Sequence, residues 1–186
     1  MFERFTKDAR AVVEGAVEHC ARAGEGRVEE AHMLLALLDR EGSRGSFALA
    51  SLGLTGRRDS VARQLAEARR RGGLSRADAD ALSGLGIDLS EIVSRIEEAH
   101  GVGALESGRR PGRRSRRPGF APGSKDVLTQ SLRIALAHQD RHIGDEHLLM
   151  ALTSRPGVPA EVLADHGVTY AGVARVLYGG GEAKAG

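Results

Sequence analysis

Apolar residues recur along this chain with a helical period, and the pattern is written twice. Ala9, Val12, Val13, Ala16, Val17 and Cys20 fall at i, i+3, i+4, i+7, i+8 and i+11. That spacing makes one apolar stripe on a helix of 3.6 residues per turn. Thr6 precedes the stripe and can accept a bond from a free N–H of the first turn. Leu34, Leu35, Leu37 and Leu38 crowd a second helix, predicted over 29–38, too densely for an exposed surface. A third helix ends near Leu52, where Gly53 supplies a left-handed stop, and a fourth covers 58–70. From Phe5 to Leu37 the sequence aligns without a gap with Phe120 to Leu152, at a constant offset of 115. Phe5/Phe120, Val12/Val127, Val13/Leu128, Cys20/Ala135, His32/His147, Leu34/Leu149 and Leu37/Leu152 all match in kind.

The second copy predicts helices over 123–138, 145–154, 159–165 and 170–178. Gly167 takes the part of Gly53, and Pro159 sits where a first-turn proline is tolerated. The segment SLGLTGRRDSVARQL at 51–65 echoes DHGVTYAGVARVL at 165–177, and GLGIDLSEIVSRI at 84–96 is a third, partial copy. Ser75-x-x-Asp78 and Asp88-x-x-Glu91 have the side chains of helix starts, which places two further helices over 76–83 and 89–99. The expected division is a first repeat at 1–70, a helical insert at 71–100, a flexible Arg-, Gly- and Pro-rich linker at 101–119, a second repeat at 120–178 and a disordered tail at 179–186. The fold class is all-α, with two pseudo-symmetric four-helix units.

Composition narrows this further. The chain has 186 residues, 41% apolar but only 3% aromatic. A core of Leu, Val and Ala suits packed helices better than a sandwich or barrel. The single Cys20 cannot form an internal disulfide, and no apolar run is long enough for a membrane span or a secretory signal. A soluble cytoplasmic protein is the expectation. The net charge of +2 hides an uneven distribution. Six arginines lie in Arg109–Arg117, and without them the remainder stands at −4.

Several motifs together resemble a known family. MFERFTKDAR opens like the N-terminal domain of ClpC/ClpA-type unfoldases, whose repeats begin F-T-x-x-A. RHIGDEHLLMAL at 141–152 is similar to that family's H-x-I-G-T-E-H-I-L-L-G-L. SLGL and DHGV stand where the family has L-G-V or L-G-I. The resemblance covers about 5–68 and 120–178 and implies a double Clp repeat that binds protein substrates or peptides, with a Clp AAA+ unfoldase as a further partner. It implies no cofactor and no catalysis. The motor is missing from this sequence: a phosphate-binding loop needs Gly-Lys-Ser/Thr, but Lys7, Lys125 and Lys184 are followed by Asp8, Asp126 and Ala185.

In some relatives the repeats bind phosphoarginine through a Thr near the repeat start and the Glu of T-E-H. Thr6 matches the first Thr and Glu146 the second Glu, whereas Ala31 and Ala121 stand at the other two positions. Phosphoarginine is thus a candidate ligand with each pocket half furnished, unless Glu29 or Glu30 substitutes. Glu146 reads either as a ligand-contacting carboxylate or as a helix-start acid favoured by the macrodipole. Phe2 and Phe5 read as core or as an exposed peptide-binding patch. The candidate ligand-binding residues are therefore Phe2, Thr6 and Glu146.

His32 and His147, with Gly53 and Gly167, are expected to be structural, the histidines bonded across the repeat. His138, His142 and His147 give a superficial metal spacing, but Gly144 is expected to break the helix between them, so no metal is assigned. The rival to peptide recognition is a regulatory or nucleic-acid-associated role for the Arg cluster. That cluster lacks interleaved aromatics, and the rest of the chain is acidic, so nucleic acid is the weaker partner.

Overall fold

The computed structural model describes residues 2–101 and 118–179, with Phe2 defined in its backbone only. After a 3₁₀ turn at Phe2–Arg4, α1 covers Lys7–Arg22. It starts where the Thr6 hydroxyl accepts the Ala9 N–H at 3.1 Å. Its stripe of Ala9, Val12, Val13, Ala16 and Cys20 is buried. α2 (Glu30–Leu38) lies against α1 and buries Met33, Leu34, Ala36 and Leu37. α3 (Arg44–Ser51) begins at Ser43, whose hydroxyl accepts the Ser46 N–H while the Ser46 hydroxyl accepts the Ser43 N–H. α4 (Arg58–Arg70) faces inward through Val61, Leu65 and Ala68.

The second unit repeats the plan. α7 (Pro122–Ala137) packs on α8 (Asp145–Ser154), followed by α9 (Val158–Asp165) and α10 (Tyr170–Tyr178). Between the units stand α5 (Arg76–Gly84) and α6 (Leu89–His100), capped by the Ser75 hydroxyl and the Asp88 carboxylate. Gly53 and Gly167 hold φ of +82° and +81°, a conformation that a Cβ would strain.

The two units lock together through paired backbone crossings. Val28 pairs in parallel with Phe120, in a two-residue ladder of Arg27–Val28 (β1) and Gly119–Phe120 (β2). Phe5 bridges Ile143 in the same sense. Adding 115 to Phe5 and Val28 gives Phe120 and Ile143, so the two crossings are images of each other under the pseudo-two-fold. α8 is the centre of the core: it touches α1, α2, α3, α7, α9 and α10, and Leu148, Leu149, Met150 and Ala151 are fully enclosed. Each such leucine contributes about 1.5–3 kcal/mol on leaving water.

The all-α double repeat follows the sequence expectation closely, with shifts of a residue or two at helix ends. The ladder was not foreseen, because two residues carry no period. It also corrects the linker, expected to run to 119: Gly119 is paired with Arg27. Residues 102–117, which hold the Arg cluster, and 180–186 lie outside the described residues, so the flexible-loop and tail expectations concern a part not described. Among the described residues no helix is long and apolar enough to cross a membrane.

Candidate functional site

Where α1 begins, the start of α8 comes against it, and a cleft of about 260 Å³ opens there. Thr6, Arg44, Asp140, Asp145 and Glu146 line it, together with Asp8, Arg141 and His142. Thr6 and Glu146, expected to belong to a binding groove, thus share one wall, although the Thr6 hydroxyl is engaged in capping α1. Phe5 lies in the core at 3% exposure. The Phe2 side chain lies outside what is described.

The first turn of α8 is buried although it reads Asp-Glu-His. Burying charge is costly unless each group is bonded, and each is. The Asp145 carboxylate accepts the Ser43 hydroxyl and the Gly45 N–H, the latter at 3.2 Å, tying α8 to the start of α3. Glu146 pairs with Arg44 at 2.9 Å. Burial pushes the Glu146 carboxyl up to about 7, and Asp145 beside it pushes the same way while Arg44 opposes. Arg44 is half exposed and also lies 5.5 Å over the ring of Tyr178.

His147 closes the arrangement. The Gly144 N–H donates to its Nδ1 at 2.9 Å, so the ring carries its proton on Nε2. Nε2 lies 3.0 Å from Asp140 Oδ2, and the Tyr178 hydroxyl is 2.9 Å from both. Burial alone would raise the Asp140 carboxyl, but the bonds from Tyr178 and His147 prevail and hold it below its ordinary value. Burial lowers the His147 pKa, so the ring stays neutral at pH 7. For His147 the expectation of a bond across the repeats is corrected: the ring turns back onto the start of its own helix. His32 makes the equivalent bond, accepting the Glu29 N–H at 2.9 Å. A ring at the third helical residue reaches the preceding N–H without spanning a gap.

The image of this cleft is differently furnished. Glu25 replaces Asp140 and lies 3.5 Å from His32 Nε2, while Arg69, at 2.8 Å from Glu25, stands in for the Tyr178 hydroxyl. Ala31 and Ala121 occupy the positions of Glu146 and Thr6. The Glu30 carboxylate, raised by burial, instead abuts Gly123 of α7 and lies 3.7 Å from Arg155.

Sequence reasoning missed Arg44, Asp140, Asp145 and Tyr178. Asp145 was legible as the residue standing where the family signature has Thr. Arg44 gave no signal, since it lies 102 positions from its partner, at the start of a separate helix. The histidine trio does not converge: His138 stacks on Tyr178 with ring centroids 3.8 Å apart. Among the described residues no group of three or more His, Cys, Asp or Glu could hold a metal ion.

A Cβ on Gly45 would fall 2.5 Å from the Asp145 carboxylate. Gly45→Ala is therefore expected to cost about 1–3 kcal/mol in urea unfolding, although alanine favours helices. An unchanged midpoint would mean that Asp145 is not pinned at this junction.

A duplicated four-helix unit with the site at the junction of its copies defines the class of protein. The profile of the Clp repeat (R) N-terminal domain matches residues 74–166, half of the chain. The chain belongs to this family. Solved structures agree in fold across nearly the full length. The N-terminal domain of the caseinolytic protease-associated chaperone ClpD from Arabidopsis thaliana is 16% identical, with TM-score 0.53 over 95% of this chain and 94% of that one. The Hsp104 N-terminal domain from Candida albicans is 15% identical, with TM-score 0.52 over 95% and 91%. A chain from a malarial protein secretion system is 14% identical, with TM-score 0.56 over 94% and 92%. At these identities the likeness is one of fold.

Proposed function

We propose that this chain is a non-catalytic recognition module for protein substrates or peptides of Clp-type proteolysis, acting as an adaptor or a decoy, with the Thr6–Glu146 cleft as its contact site. One observation carries the reading: a buried carboxylate, Glu146, forms the wall of an open cleft beneath a half-exposed arginine. Arg44 marks the place where a cationic side chain is held. An incoming arginine, phosphorylated or not, reaches Glu146 by displacing it. Membership of the Clp repeat family supports the general role. The mutual bonding of Asp140, His147 and Tyr178, with Asp145 engaged by Ser43 and Gly45, supports a binding scaffold rather than a reaction centre, because these groups are already spent.

The test is fluorescence anisotropy with a reduced, carboxymethylated polypeptide and with arginine and phosphoarginine peptides. Glu146→Ala is expected to weaken binding roughly tenfold, with far-ultraviolet circular dichroism unchanged. Equal affinities for wild type and variant would sink the proposal. Adding a purified Clp unfoldase then separates the roles: an adaptor forms a three-way complex, whereas a decoy competes for the polypeptide.

A further inference from the structure

The turns that join α3 to α4, α5 to α6 and α9 to α10 share one form. Gly53, Gly86 and Gly167 have φ of +82°, +80° and +81°. The next residue in each case donates its N–H five residues back: Leu54 to Leu49, Ile87 to Leu82 and Val168 to Leu163, at 2.9–3.0 Å. The same turn also ends α1, α4 and α7, so it is the match of GLGIDLSEIVSRI at 84–96 to DHGVTYAGVARVL at 165–177 that makes α5–α6 a third copy of the unit forming α3–α4 and α9–α10. In those two copies the apolar positions are buried: Leu49, Leu54 and Val61 in one, Leu163, Val168 and Val173 in the other, all at 5% exposure or less. Here Ile87 is 39% and Ile92 42% exposed, and neither helix buries a single residue fully. The hairpin keeps the apolar pattern of a half-repeat without the first half against which its sister copies pack.

Charge indicates what covers it. Residues 74–101 carry six carboxylates (Asp78, Asp80, Asp88, Glu91, Glu97 and Glu98) against Arg76 and Arg95, a net −4. Arg76 is turned to Glu161 and Asp165 of α9, which anchors the hairpin at its start. A groove of about 600 Å³ runs between α5, α6 and the end of α4, with Leu89 and Val93 in its lining beside Asp80 and Asp88. Arg70 and Arg71 also reach it, Arg71 held by Glu67 at 3.2 Å. A second copy of the hairpin would set −4 against −4, which opposes self-pairing.

We propose that the α5–α6 hairpin docks a basic amphipathic helix of a partner protein, which takes the place of the missing first half. Its apolar stripe covers Ile87 and Ile92, and its Lys or Arg residues meet the acidic rim. This surface is separate from the Glu146 cleft.

The probe is a synthetic helix of about 18 residues, some five turns, with Leu at helical spacing and Lys elsewhere, and a counterpart with Glu for Lys. Binding to the full chain is read by anisotropy. The Lys helix is expected to bind at least about tenfold more tightly than the Glu helix. Ile92→Asp is expected to weaken it by a similar factor. Asp80→Lys with Glu91→Lys, both at exposed positions, is a second variant that leaves the apolar face intact and should act in the same direction. Glu146→Gln should leave this binding unchanged. Equal binding of the two helices, indifference to both hairpin variants, or loss on Glu146→Gln would overturn the proposal. So would sedimentation showing a dimer of this chain that Ile92→Asp disperses.

Discussion

His147→Ala is expected to destabilise the fold by about 3–5 kcal/mol at pH 7.5, measured by urea unfolding. The ring is 1% exposed and serves three groups at once. Removing it strands the buried Gly144 N–H, takes a donor from Asp140 and a neighbour from the Tyr178 hydroxyl, and leaves a cavity beside α8. His147→Asn should recover part of the loss, since its side-chain oxygen can accept the Gly144 N–H where Nδ1 did. Burial lowers the His147 pKa below its ordinary 6.5. The stability it brings is present above that value and lost as pH falls further. The advantage of wild type over His147→Asn should therefore shrink between pH 7 and 5. A cost for His147→Ala below about 1 kcal/mol would show that the ring is merely enclosed.

Much of this site's frame was legible in the sequence, and the reason is physical. A stripe such as Ala9 to Cys20 is a local signal, since helix period and burial are both set by neighbours a turn apart. The internal repeat then fixed which stripes are equivalent, and Gly53 and Gly167 marked the same turn twice. Gly86 marked it a third time, but the pattern alone could not say that Ile87 and Ile92 would stay exposed; that depends on whether a first half is present to cover them. The Arg44–Glu146 pair was illegible for a similar reason. It joins the first turns of two helices 102 residues apart, and nothing periodic links one helix start to another. The histidines show the middle case: their equivalence was visible, whereas the direction of their bonds was set by the free N–H one turn back. Glu146 was marked only by a motif, and its burial beside Asp145 and under Arg44 emerged from the meeting of the two units.

Glu146→Gln should change the pH dependence of stability more than stability itself. In the folded chain, burial raises the Glu146 pKa from 4.5 to about 7. Below 4.5 the group is neutral in both states and folding bears no penalty. Between 4.5 and 7 the unfolded chain ionises while the folded one keeps its proton, so stability falls as pH rises and then levels off. The full swing is at most about 3 kcal/mol. Glutamine does not titrate, so the difference in Tm between variant and wild type should move in favour of the variant from pH 4.5 to 7 and stay flat above. The groups around Glu146 are Asp145, Arg44 and His147, the last with Nδ1 3.7 Å away. His147 titrates with the opposite slope, but in both proteins, so it largely cancels from the difference. Parallel Tm curves, or a difference moving against the variant, would mean that pairing with Arg44 outweighs burial and Glu146 is ionised throughout. The same titration sets the cleft's behaviour: below about pH 7 the carboxyl is protonated, its hold on Arg44 or on any incoming cation weakens, and binding through this cleft should fade with it.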